Sequence, residues 1–252
     1  MKPNLQPATR ASALSLVHVY PQFLGSYGHG GNALVLAQRC RWRGVTCDIH
    51  EVTIGEVIPA EADIYYLAGG DTVGVKAVAQ ALQQQQGLQQ AAARGAVVLG
   101  VGSGCQLLGE RLSLPRGDTF AGIGLLDLKS EPAVRRRFGP VIGEPLLPIE
   151  APLLGFEDHQ MTLQLGAEAT AIAKLRHGAG NGSAQGTEGI WRSNVFGTSL
   201  RGPVLALNPS FADLLLERVL GPLDPLPLLA VDRLRERFLS ALPRSIGSRA
   251  KR

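Results

Sequence analysis

At 252 residues, 45% hydrophobic and 18% charged, the chain has the length and composition of one substantial α/β domain, with or without an appendage, and not of a fibrous or disordered protein. Its net charge of +4 comes from the end of the chain. Arg244, Arg249, Lys251 and Arg252 lie in the last nine residues with no acid among them, and without them 21 basic residues face 21 acidic ones. A neutral body argues against a nucleic-acid partner, and the basic end reads as a solvated tail.

The segment Met1 to Ala13 has no apolar stretch and does not read as a signal peptide. No run of about 18 apolar residues marks a transmembrane segment. Cys40, Cys47 and Cys105 form no C-x-x-C pair, so neither a disulfide framework nor a structural zinc site is expected. A reducing cytoplasm fits that usage, and no metal or cofactor is implied.

In chain order, residues 14–20 read as a buried strand, followed by a Gly-rich loop from Gly25 to Asn32. Residues 33–43 read as a helix with Gly44 as its C-cap. Strands are expected at 45–52 and at 64–67, the latter running into Gly69-Gly70-Asp71. A helix is expected over 75–94, with the Gln run at 83–86 on its exposed face. Ala96 to Val101 is apolar throughout, as a central parallel strand should be. This alternation predicts a doubly wound, mostly parallel sheet.

The second half changes character. Short strands expected at 120–128, 170–176, 187–192 and 194–200 suggest a mixed or antiparallel extension of the sheet. A helix at about 210–220 ends at Gly221-Pro222. A Pro-rich link, 222–227, leads to a short helix with Val231, Leu234 and Phe238 on one face, which either packs back on the domain or docks a partner.

The segment Gly100-Val101-Gly102-Ser103-Gly104 between the apolar strand and the next helix is a nucleophile elbow in form. Its outer glycines make room for a sharp turn whose central side chain stands at the sheet edge. Here the centre is itself glycine.

These residues, with nine stretches in order, resemble the CobB/CobQ-like glutamine amidotransferases, and most of all the glutaminase subunits of lipid II isoglutaminyl synthases. The stretches are Tyr20 to Asn32, Trp42 to Gly44, Gly69-Gly70, Gln106 to Gly109, Gly122 to Asp127, Gly155 to His159, Gly178 to Asn181, Gly186 to Gly189, and Gly197 to Pro203 with Asn208-Pro209. The resemblance covers roughly 13–221. It leaves 1–12 as a disordered N-terminal segment and 222–252 as link, helix and tail. It implies a class I amidotransferase fold and a Mur-ligase-like synthetase partner that amidates peptidoglycan precursor.

The resemblance also locates what differs. Aligning Gln106-Leu-Leu-Gly109 puts the family's nucleophilic cysteine at Gly102, and the family's late histidine falls at Arg201. The Gly-rich loop has His29 where relatives usually carry Asp, and Val73 to Lys76 lacks the acid and Gln that usually follow Gly69-Gly70. Glutamine hydrolysis by this route needs a thiolate and a proton-shuttling base. Gly102 has no side chain, and Arg201 stays protonated with no acceptor site.

Three functions follow from this site. The first is a catalytically degenerate subunit. The second is an active glutaminase using Cys105 as a weak surrogate, about 4.5 Å of helix rise from the apex. The third is a module that binds a small anion. Ser103, displaced from the apex, is a weaker surrogate. Arg136, in the frame Arg136-Arg137-Phe138-Gly139, matches an arginine that contacts substrate in relatives; Arg135 to Arg137 read otherwise as a solvated turn. Gly69 and Gly70 are the other substrate-binding candidates. His159 reads as structural, and His29 and His177 as surface loop residues. Arg201 needs an anion near it, either Glu157, Asp158 or Glu188, or a bound carboxylate or phosphate.

Overall fold

The computed structural model describes residues 13–28, 30–115, 117–182 and 184–241, so the N-terminal segment, His29 and the basic tail lie outside the described residues. The elements run β1 (Ala13–Val19), α1 (Gly31–Arg41), β2 (Thr46–Val52), β3 (Ile64–Leu67), α2 (Thr72–Gln83), α3 (Gly87–Ala93), β4 (Val97–Val101) and α4 (Ser103–Leu107). They continue with β5 (Arg111–Ser113), β6 (Thr119–Ala121), β7 (Leu128–Pro145), β8 (Leu153–Leu165), β9 (Ala173–His177), β10 (Thr187–Glu188), β11 (Ile190–Arg192) and β12 (Val195–Thr198). Helices α5 (Val204–Leu207), α6 (Pro209–Leu220) and α7 (Leu229–Ala241) complete the chain.

The first sheet has the order β11-β12-β4-β3-β1-β2. All neighbours pair parallel except β11, which runs antiparallel at one edge. Strands β3 and β4 are buried at every residue, as their unbroken apolar sequences require. Edge strand β2 is mostly exposed or half-buried. Leu67 pairs with Gly100 and Val101 with Thr198, so β3, β4 and β12 end side by side. An open parallel sheet binds its ligands along this carboxyl edge.

The remaining strands form a mixed sheet of their own and not an extension of the first, ordered β10-β9-β7-β5-β6 with β8 also on β7, all pairs antiparallel except β5 with β7. An isolated bridge from Thr170 to Trp191 connects the segment before β9 to the edge of the first sheet. The strands expected at 170–176, 187–192 and 194–200 form near those places, but the one expected at 120–128 does not: Gly122 to Asp127 form a loop between β6 and β7, with amides bonded to the carbonyls of Leu107 to Glu110 instead of to a neighbouring strand. The long β7–β8 hairpin was not expected, because Pro132, Arg135 to Arg137, Gly139 and Pro140 hide its alternation. The pairing itself is irregular between Pro132 and Arg137.

The expected helix over 75–94 is two helices, and the Gln run is the break between them and not an exposed helix face. Gln85 holds the break by accepting from the Ile58 N–H at 2.8 Å and donating to the Glu56 carbonyl at 2.6 Å. Gln83 donates to the carbonyls of Ala121 and Gly122. At Gly87 any Cβ would fall 1.9 Å from the Ile58 oxygen, so only glycine lets α3 start there.

Helix α7 packs back on the domain, with Val231 and Phe238 of the expected face half-buried. Leu234 is 56% exposed, while Arg235 is buried. The Arg235 guanidinium donates to the carbonyls of Leu207 and Pro152 and to Asn208 Oδ1. The buried anchor of this amphipathic helix is therefore a cation that meets main-chain acceptors. Removing it should weaken docking of α7 by about 1–3 kcal/mol. Arg235→Ala is expected to speed proteolytic loss of the segment after Gly221 roughly ten- to hundredfold, read by limited proteolysis with mass spectrometry, while the remaining domain stays resistant.

Candidate active-site cleft

Strand β4 stops at Val101 and Gly102 turns the chain into α4 with φ 60° and ψ −123°. That conformation is costly for any residue with a Cβ. Its neighbours leave no room for relaxation. A Cβ at Gly100 would lie 2.7 Å from the Cys105 nitrogen, and one at Gly104 would lie 2.2 Å from the Leu67 oxygen. Both outer glycines of the elbow are thus set by close backbone approach.

The elbow opens on a cleft of about 170 Å³ whose walls include Gly70, Gly102, Ser103, Gln106, His159 and Arg201. Gly102 and Arg201, joined only by alignment in the sequence, therefore share one cavity. Gly70 comes from the loop after β3, where a Cβ would fall 2.2 Å from the Phe23 oxygen. Gly69 turns its carbonyl to the Ser26 N–H. Asp71 caps α2 by accepting from the Gly74 N–H at 2.7 Å.

The far wall comes from β8. Arg201 donates through Nε and Nη2 to the main-chain oxygen of Asp158, at 2.8 and 2.5 Å. Asp158 is among the three acids expected to meet this cation, and these bonds engage its carbonyl. The Asp158 carboxylate takes a two-pronged contact from Arg136, at 2.6 and 2.8 Å. Arg136, with Arg201 behind it, holds the carboxyl below the usual aspartate range. Arg136 stands outside the cleft lining, its side chain 64% exposed and 5.9 Å from the Phe138 ring.

Behind the cleft lies a layer of buried acids. Glu157 accepts from the main-chain N–H groups of Ala179 and Gly180, both at 2.8 Å, and lies 3.6 Å from His159 Nε2. Burial pushes this carboxyl up, but the nearby His159 ring and the bonds from Ala179 and Gly180 outweigh it and hold the group below its ordinary value. Glu188 accepts from Thr198 Oγ1 and the Ser199 N–H, and its complete burial raises its carboxyl. His159 lines the cleft with Nδ1 set 3.1 Å from the Met161 carbonyl.

Cys105 is fully buried. Its sulfur lies beneath β12, where a Cβ on Gly197 would come within 2.5 Å of it. Burial, with Glu188 nearby, pushes the thiol well above its usual range. His177 is exposed. Among the described residues no cluster of three or more His, Cys, Asp or Glu could hold a metal ion, and no helix is long and apolar enough to cross a membrane.

Two features of this cleft escape the sequence: the carbonyl that receives Arg201, and the Ser103 hydroxyl, which meets the main chain of Gly70 at 2.8 Å. A serine directly after an elbow apex is the only signal that could have pointed to the second.

The profile of the CobB/CobQ-like glutamine amidotransferase domain matches residues 15–209. The chain belongs to this family. It is similar to the GatD subunit of lipid II isoglutaminyl synthase (glutamine-hydrolyzing) from Staphylococcus aureus, 30% identical over 207 residues that span 81% of this chain and 84% of the relative. The GatD subunit from Streptococcus pneumoniae is 25% identical, over 79% of this chain and 77% of its own. A solved glutamine amidotransferase superposes with a TM-score of 0.53 over 80% of this chain and 97% of its own, at 14% identity. One from Thermotoga maritima gives 0.50 over 90% and 94%, also at 14% identity. The fold is therefore that of the class I glutamine amidotransferases.

Glu157 supplies a measurable pH signature. Its folded carboxyl lies below the ordinary value of 4.5, so its contribution is complete above that pH and is lost as pH falls through the lowered value. Glu157→Gln is expected to cost about 1–3 kcal/mol at neutral pH by urea unfolding. The gap between the two proteins should close in acid.

Proposed function

We propose that this chain is a glutaminase-like subunit that has lost glutamine hydrolysis and acts by assembling with a Mur-ligase-like synthetase, which it supports or regulates in the amidation of a peptidoglycan precursor. One observation carries the reading: the apex of the elbow is Gly102, and the facing wall of the same cleft is Arg201. Hydrolysis through a glutamyl thioester needs a sulfur at the apex to bond to the amide carbon, and a base to take the thiol proton and return it to departing ammonia. Glycine offers no atom for the first task. A guanidinium engaged with the Asp158 carbonyl offers no lone pair for the second.

The partner and the pathway rest on the resemblance to lipid II isoglutaminyl synthase subunits over four-fifths of the chain. The burial of the Cys105 thiol beneath β12 speaks against a relocated nucleophile. With purified protein and millimolar glutamine, ammonia release should equal the buffer background. Turnover that disappears in Cys105→Ala would overturn the reading. Co-expression with the Mur-ligase-like synthetase from the same genome should give a complex that survives size-exclusion chromatography.

A further inference from the structure

The loss of hydrolysis is written at a third position. In an elbow of this form the oxygen that becomes negative on attack is held by two main-chain donors: the N–H of the residue after the nucleophile, and an N–H from the loop that follows the neighbouring strand. Here those groups are Ser103 and the 68–71 loop after β3. The pairing of Leu67 with Gly100 sets that loop beside the elbow. Gly70 is its residue in the cleft wall. The Gly70 N–H donates to Ser103 Oγ at 2.8 Å, and the same hydroxyl lies 3.3 Å from the Gly70 carbonyl oxygen, to which it donates. The serine hydroxyl thus closes a small ring on one residue's main chain and takes up the donor that an oxyanion would need.

We propose that Ser103 occludes the Gly70 donor, so that restoring the missing thiol and imidazole would not by itself restore glutamine hydrolysis. This inference rests on the reading of the chain as a degenerate glutaminase. The restored reaction is balanced: an apical thiolate bonds to the glutamine amide carbon, and the carbonyl electron pair moves to oxygen. The pair returns as the C–N bond breaks and ammonia leaves with a proton from the imidazole, and water then hydrolyses the thioester to glutamate. Each passage through the tetrahedral stage places charge on the oxygen that Gly70 should hold. Loss of one such donor costs about 10²–10³ in rate.

The full chain carrying Gly102→Cys and Arg201→His should therefore release ammonia from glutamine at or near background. Adding Ser103→Ala should raise the rate by roughly 100-fold. Adding Ser103→Thr instead, which keeps a hydroxyl, should leave it low. Equal rates with and without the hydroxyl, or no turnover in any folded combination, would overturn the proposal. Amide hydrogen exchange tests the contact in the otherwise unaltered chain: Ser103→Ala should abolish protection of the Gly70 N–H, and unchanged protection would equally overturn it. Ammonia release by the unaltered chain is a separate outcome that sinks the proposed function and leaves the ratio between variants to be read on its own.

Discussion

The turn at Gly102 is fixed by backbone contacts from two sides, and the cleft depends on that fixity. Gly100 lets the first turn of α4 fold onto β4, and Gly104 lets the same turn approach the end of β3. The amide of Gly102 donates to the Thr198 carbonyl at 2.7 Å, which ties the elbow to β12 as well. Three strand ends are thereby held in one register. The residues just beyond each of them, Gly70, Ser103 and Arg201, meet in one cavity without any side chain reaching far. A site assembled by main-chain contact keeps its shape whichever reactive groups it carries, because the contacts that hold it together are not theirs.

Charge behind the cleft is organised in the same manner. Glu157 accepts from two main-chain N–H groups, and one oxygen of Glu188 from a hydroxyl and one main-chain N–H. Arg201 meets a main-chain carbonyl, and Arg235 meets two carbonyls and one side-chain amide. Buried charges carry a large desolvation cost that hydrogen bonds must offset. Here much of the offset comes from loops whose positions the two sheets already determine. The exposed pair of Arg136 and Asp158 is different in kind: it joins neighbouring strands of the hairpin near the surface, where an ion pair contributes little.

Strand and helix positions in the first half were legible because β1, β3 and β4 are short, mostly apolar runs, the last two running into glycine, and because the elbow's glycine spacing has a steric meaning. The cleft was legible through alignment of the Leu200 to Pro203 segment. The β7–β8 hairpin was not, since charged and proline residues break its period over the stretch that folds most irregularly. Neither was the helix break at Gln85, where a side chain takes over main-chain hydrogen bonding in a run that composition alone reads as helix. Arg235 was hidden for a related reason. Hydrophobic periodicity finds apolar faces, and it is blind to a cation buried by carbonyl oxygens.

The backbone at Gly102 also sets what a side chain at this position costs. A cysteine held at φ 60° and ψ −123° would store conformational strain on the order of 1–3 kcal/mol. Glycine makes the same turn without that strain, so the elbow keeps its shape at less cost to folding than with any side chain at its apex. Placing a thiol there would give a less stable protein with no immediate gain, since Arg201 still stands where a base would be needed. The step works as a ratchet: folding stability alone favours glycine at this apex, whatever the cleft does.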